Sequence, residues 1–178
     1  MKQNQRYPLR INIGFLLGQA VGTYRDFEFE QTRLSLPPDL EVQAFEGTAR
    51  FSRAQQGLLV RGDFKAQIES ECVRCLAGFL QPIHIFFEEL YAFNESNVDE
   101  SHLIVPFDGH IDLGPLVREY FLMEIPISAL CKPDCKGLCP ICGEDLNQRT
   151  CEHLNIEEAE QGQPPDRSFQ LDDRIEHP

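Results

Sequence analysis

The chain has 178 residues, 42% of them hydrophobic with 13 Phe and no Trp, which suits one packed domain with a modest appendage. Its formal net charge is −13 and the acid lies in the second half: residues 1–80 hold 10 Lys/Arg against 9 Asp/Glu, whereas residues 81–178 hold 6 against 20. That balance argues against sequence-independent binding of nucleic acid or of an anionic membrane, both of which need clustered basic residues, and it favours a basic partner.

The opening stretch MKQNQRYPLRINIGFLLGQAVG has a charged start and an apolar patch, but Arg10, Asn12 and Gln19 interrupt it. It is read as neither export signal nor membrane span, so the expected location is the cytoplasm. Within it LRINIGFLL alternates (Leu9, Ile11, Ile13, Phe15, Leu17) as a strand would, and YRDFEFE adds a short second strand. AFEGTARFS carries a weaker alternation through Phe45, Ala49 and Phe51. The clearest strand is LLVRGDFKAQIESEC, with Leu58, Val60, Phe64, Ala66, Ile68 and Cys72 on one parity and charged or polar residues on the other. FLQPIHIFFEELYAF follows with Phe79, Ile83, Ile85, Phe87, Tyr91 and Phe93 on one parity. Together these segments predict an antiparallel meander of four or more strands.

Residues 94–110 are polar and turn-rich and are read as a loop. DLGPLVREYFLMEIP then predicts the principal helix, near residues 112–125, with Asp112 as cap, Pro115 in the first turn, a stripe of Leu113, Leu116, Val117, Tyr120 and Phe121 for the sheet, and Pro126 as terminator. The fold class expected is α+β: mainly antiparallel sheet in a β-rich body over residues 1–130, and a small Cys-rich metal-binding module over 131–153. Residues 154–178, acidic and poor in large apolar side chains, are expected to be a disordered tail.

Five of the seven cysteines fall in LCKPDCKGLCPICGEDLNQRTCEH. In a reducing compartment such thiols are metal ligands or redox groups before they are disulfides. The spacing Cys131-x3-Cys135-x3-Cys139-x2-Cys142, followed by Cys151 and His153, suits tetrahedral zinc, which prefers sulfur and nitrogen. CPICGE is the strongest piece: two cysteines bracket a tight turn, Pro140 stiffens it, and Gly143 admits the positive φ that turns backbone N–H groups toward sulfur. A second pair, Cys72 and Cys75, ends the amphipathic strand at a hairpin tip, a poor setting for a thioredoxin-type pair, which opens a helix. With His153 these make eight candidate metal ligands, enough for one or two zinc ions. The alternatives are two four-ligand sites, or one ribbon whose knuckles are Cys72/Cys75 and Cys139/Cys142; an iron–sulfur cluster is a third reading. Closed thiolate shells of this kind brace a fold instead of catalysing, because a catalytic zinc keeps an open position.

No catalytic residue is identified. A deaminase needs His-x-Glu before its Pro-Cys-x-x-Cys and the chain has none; no nucleophile elbow, phosphate loop or dinucleotide fingerprint occurs; His84, His102 and His110 are scattered. Glu88 and Glu89, neighbours on a strand, face opposite sides and cannot share a site. Arg50, Arg53, Arg61, Lys65 and Arg74 are read as a solvated face of the meander, with an RNA or protein contact as the alternative.

The order of ESECVRCL, FEELY, IDLGPLVREYFLMEIP and CKGLCPICGEDLN resembles the YceD family, bacterial and plastid proteins also described as large ribosomal RNA subunit accumulation proteins, over roughly residues 10–153. The resemblance implies a cytoplasmic, non-enzymatic role in accumulation or processing of large-subunit ribosomal RNA. The β-rich body would bind a ribosomal protein or a ribosomal RNA precursor, zinc would brace the C-terminal module, and neither DNA nor membrane would be bound. Residue by residue, Cys72 and Cys75 match the family's first pair, and Cys131, Cys135, Cys139, Cys142 and Cys151 its later cysteines. Where many members close with Cys-x-Cys, this chain has Cys151-Glu152-His153. The competing readings are a thiol redox protein using Cys72 and Cys75, and a zinc-braced interaction scaffold whose acidic tail recruits a basic protein.

Overall fold

The computed structural model describes residues 7–97 and 102–153, so the expected tail at 154–178 lies outside the described residues. The described residues fall into two compact units, one within the spans Met1–Val73 and Ala77–Cys131, the other within Arg74–Leu76 and Lys132–Pro178.

The first unit is built on a four-stranded antiparallel meander in sequence order: β2 (Tyr24–Leu36), β3 (Leu40–Arg53), β4 (Gly57–Glu71) and β5 (Gly78–Ala92). A small antiparallel pair joins β1 (Arg10–Asn12) to β6 (His110–Asp112), and α2 (Gly114–Glu124) follows β6. The architecture is therefore mostly antiparallel sheet with few helices, an α+β arrangement.

The period-two reading of β4 and β5 carries directly into packing. Leu58, Val60, Phe64, Ala66 and Ile68 are buried on one face of β4, as are Ile83, Ile85, Phe87 and Tyr91 on β5. Phe64 is the hub: its ring stacks on Phe45 of β3 at 5.2 Å and meets Phe29 of β2 at 5.8 Å and Phe87 of β5 at 6.1 Å. Gly62 makes room for this cluster, since a Cβ there would lie 2.4 Å from the Phe87 ring. Helix α2 covers the same face, with Phe121 edge-on to Phe45 at 6.2 Å and Tyr120 stacked on Phe87 at 4.9 Å.

Four segments differ from the sequence expectation, each for a local reason. LRINIGFLL is a strand only at Arg10–Asn12; Asn12 Oδ1 then accepts the Gly14 amide at 3.0 Å and turns the chain into a short helix, α1 (Gly14–Leu17). Leu9, Ile11, Ile13 and Leu16 are buried, whereas Phe15, on the expected parity, is half exposed. β2 runs past residue 30 to Leu36 because Leu34 and Leu36 supply a further buried alternation. In β3 both Val42 and Phe45 point inward although they differ in parity: the register with β4 shifts between Gln43 and Glu46, and Ala44 takes φ 47°, the signature of a bulge. Asp112 does not cap α2 as its N-cap residue, which is Leu113; its Oδ1 instead accepts the Gly114 amide at 2.9 Å, one step earlier. Pro115 sits in the first turn and Ile125, before Pro126, is extended, as the residue preceding a proline must be.

The loop after β5 contains a 3-10 turn (Glu95–Asn97), residues 98–101 lie outside the described residues, and Ile104 makes a parallel bridge back to Ala92.

Because Phe64 meets rings from the sheet's three other strands, Phe64→Ala should cost about 3–5 kcal/mol of unfolding free energy, read as a lower urea midpoint. Phe15→Ala, which removes a half-exposed ring, should change the midpoint little.

Candidate metal centre

The sheet's two faces divide the chemistry of the first unit. Along the open face, cross-strand neighbours Asp26, Arg50, Arg61 and Glu88 form one row. Arg50 donates from Nε and Nη2 to the two oxygens of Asp26 at 2.7 and 2.9 Å, which holds that carboxyl below the usual carboxylate range. Arg61 donates to Glu88. His84 Nε2 lies 2.8 Å from Asp63 Oδ1. On the covered side Glu89 accepts the Tyr120 hydroxyl at 2.6 Å, which pushes that phenol up to about 12; Glu88 and Glu89 do face opposite ways.

The five basic residues expected on one face are thus dispersed. Arg53 is turned toward Leu17 O and lies 4.2 Å over the Phe93 ring, and Arg74 belongs to the second unit. What remains on the open face is acidic: a shallow cavity of about 610 Å³ is lined by Glu28, Glu30, Glu46 and Asp63, with Lys65 as its one cation.

The cysteines have the clearest geometry. In the first unit the Val73 amide donates to Ala129 O at 3.0 Å, drawing the β4–β5 hairpin tip beside the segment that leads to Cys131. In the second unit Arg74 binds two partners: its Nη1 donates to Cys135 O at 2.8 Å and its own carbonyl accepts the Leu138 amide at 3.1 Å. Gly137, at φ +80°, lets the chain pass this close, for a Cβ there would meet Arg74 O at 3.0 Å. The expected knuckle forms: the Gly143 amide returns to Cys139 O at 2.9 Å, with Gly143 at φ +72°.

All eight expected ligands gather into two groups of four, Cys72/Cys75/Cys131/Cys135 and Cys139/Cys142/Cys151/His153, each with its ligand atoms within 4.8 Å of one another. The alternative of one ribbon pairing Cys72/Cys75 with Cys139/Cys142 is therefore corrected: each knuckle has its own partners. No disulfide forms among the described cysteines. His84, His102 and His110 join neither group.

Three observations test whether these groups fit a cation. Their donors are thiol sulfurs and one imidazole nitrogen, a soft set suited to tetrahedral coordination. Among the described residues of the second unit the buried side chains are Cys75, Cys135 and Cys139, so no apolar core holds that unit. His153 Nδ1 is buried with no hydrogen-bond partner, an orphaned polar atom beside three thiols. Electrostatics agree at the knuckle: the Cys142 and Ile141 amides point at the Cys139 sulfur and pull its thiol down to about 6. At Cys142 the Glu144 amide pulls downward, but the hydrogen bond to the Cys139 thiolate, with burial, wins and pushes that thiol up. Each group can hold a metal ion.

Two contributors were not anticipated from the sequence. Arg74 lies between Cys72 and Cys75 and fixes the tip through Cys135 O, and Asn147 donates from Nδ2 to Cys135 Sγ at 3.4 Å. The Asp145-x-Asn147 spacing, which favours an Asx turn, was the available signal for the second.

A small α+β protein with a Cys-rich module able to hold metal is the class these features define. The chain belongs to the YceD family: the family's model, described as large ribosomal RNA subunit accumulation protein YceD, matches residues 60–170. It is 35% identical over 101 residues to an uncharacterised protein of Mycobacterium tuberculosis, covering 54% of this chain and 49% of that one. Over 53 residues it is 40% identical to the chloroplastic large ribosomal RNA subunit accumulation protein YCED homolog 1 of Zea mays, covering 28% and 18%. The uncharacterised YlbN of Bacillus subtilis is 32% identical over 76 residues, covering 42% and 44%. The chain spans about half or less of the length of these curated relatives. No solved structure matches. No helix among the described residues is long and apolar enough to cross a membrane.

At φ +80° a β-carbon is strained, so Gly137→Ala should weaken the second unit by about 1–2 kcal/mol. Hydrogen exchange of the Leu138 amide, which bonds to Arg74 O, should speed up about 5- to 30-fold while β4 and β5 amides keep their protection.

Proposed function

We propose that this chain is a non-enzymatic, cytoplasmic factor that supports accumulation or processing of large-subunit ribosomal RNA by binding a basic ribosomal protein segment or the precursor particle that carries it. The family match over residues 60–170, with its printed description, is the observation that carries this reading. Charge selects the kind of partner. The open face of the meander bears Glu28, Glu30, Glu46 and Asp63 around one cavity, and its Arg50 and Arg61 are neutralised by Asp26 and Glu88. An acidic surface attracts Lys- and Arg-rich segments and repels phosphate.

Two structural zinc ions are part of the proposal. Four protein ligands per group leave no position for a substrate or reactive water, which is the arrangement of bracing sites and not of catalytic ones. Zinc supplies folding energy when bound to such shells. The chain's own residues do the rest: the knuckle amides stabilise thiolate at Cys139 and the Arg74 contacts hold the Cys135 loop.

Elemental analysis of protein purified without added metal should find about two zinc per chain, falling to about one in Cys72→Ser/Cys75→Ser. Metal-free wild type with a compact second unit would reject the bracing role. In cells depleted of the protein, large-subunit ribosomal RNA should fall, and the protein should comigrate with precursor particles on gradients. Glu28→Gln/Glu30→Gln/Glu46→Gln should weaken capture of a basic ribosomal protein about tenfold and flatten its salt dependence while leaving the fold intact. Normal ribosomal RNA on depletion, with no comigration, would overturn the reading.

A further inference from the structure

Eight residues separate Cys142 from Cys151, both in one four-ligand group, yet the middle of that segment touches a ligand of the other group. Asn147 makes the contact. Its Oδ1 accepts the Lys136 amide at 2.9 Å, and because an amide N–H can only donate, this fixes which end of the side chain is oxygen. Its Nδ2 therefore faces Cys135 Sγ at 3.4 Å, and Asp145 Oδ1 accepts from both Nδ2, at 2.8 Å, and the Asn147 backbone amide, at 2.9 Å.

The backbone of the segment pairs with the 137–139 stretch that follows these partners. Asp145 bridges Leu138 in antiparallel fashion, the Leu146 amide donates to Gly137 O at 3.0 Å, and the Cys139 amide donates to Glu144 O at 2.8 Å. Asn147 is half-buried and tied at both ends of its amide, not a solvated loop residue.

We propose that Asn147 is a positioning residue for the cation held by Cys72, Cys75, Cys131 and Cys135, and that it couples the two metal sites so that filling one strengthens the other. The inference rests on the zinc reading above. A cation at Cys139, Cys142, Cys151 and His153 pins both ends of the 143–150 segment and so removes the entropy cost of placing its middle. Once placed, the Asn147 N–H stabilises the Cys135 thiolate, the form that binds metal, as hydrogen bonds from outside the ligand shell do. By linkage the effect is reciprocal: metal at the Cys135 group orders Asn147 and the segment, and raises affinity at the other.

The test uses full-length protein loaded with Co²⁺, whose sulfur-to-cobalt charge-transfer band reports thiolate ligation, and Zn²⁺ competition to read affinity. Asn147→Asp keeps an Oδ1 acceptor for the Lys136 amide but replaces the donor with a carboxylate oxygen, so it isolates the contact to sulfur; Asn147→Ala removes both. Each should weaken metal retention at the Cys135 group about 10- to 100-fold and move its charge-transfer band to lower energy, a shift that loss of loop packing alone would not produce. Coupling is read as a cycle. Cys142→Ser/Cys151→Ser should lower affinity at the remaining group about 5- to 100-fold in the asparagine background and leave it nearly unchanged in Asn147→Ala. Equal losses in both backgrounds, or wild-type affinity and spectrum in Asn147→Asp, would overturn the inference while leaving the two-zinc reading standing. Absence of any cobalt or zinc binding in the wild type would overturn both.

Discussion

The second unit has almost nothing apolar to fold around. Its described buried side chains are Cys75, Cys135 and Cys139; Ile141 is largely exposed, and Leu138 and Leu146 are only partly covered. A segment of that size cannot offset chain entropy by burial alone, so order must come from directed bonds. The structure supplies short backbone pairings such as Leu138 with Asp145, and it gathers two four-donor groups able to hold metal. The backbone pairings are few, so on the proposed reading it is metal held by these thiols that constrains the unit.

The first unit is the opposite case. Phe29, Phe45, Phe87 and Phe121 give it a ring cluster centred on Phe64, and a single sheet face covered by α2 is enough to bury it. Covering one face only has a consequence for function. The other face stays open, and its rows of cross-strand pairs set the charge it presents. Arg50 and Arg61 are adjacent across β3 and β4, an arrangement that would repel if Asp26 and Glu88 did not flank them on the outer strands. Those pairs are solvent-exposed and add little stability, but they remove the cations from the field presented to a partner.

How much was legible beforehand follows from which forces are local. Strand periodicity is local, so the burial of Leu58 through Ile68 and the inward face of β5 could be read directly. The knuckle is local too: Cys139, Pro140, Cys142 and Gly143 prescribe their own turn. The parity switch in β3 was hidden because a bulge depends on the register of a neighbouring strand, and Val42 and Phe45 look discordant until Ala44 is placed. The basic face was misread for a related reason. Arg53 shares a region of sequence with Arg50, but strand alternation and the pull of Leu17 O and Phe93 send it to the covered side. The assignment of eight ligands to two groups was beyond reach, since the spacing within each knuckle says nothing of which knuckle lies beside Cys131 or Cys151.

On the proposed reading, metal loading sharpens the electrostatic argument. Four thiolates around a divalent zinc leave a formal charge of about −2, and three thiolates with a neutral imidazole about −1, so filling both groups does not neutralise an already acidic chain. The zinc sites therefore cannot serve as a positive platform for ribosomal RNA phosphates. On the same proposal, support for that RNA runs through a basic protein, one whose Lys and Arg would otherwise contact RNA without selectivity. An acidic sheet face that occupies those cations transiently fits a factor acting before the ribosomal protein takes its final place, because the contact is screened by salt and yields to the denser negative charge of RNA.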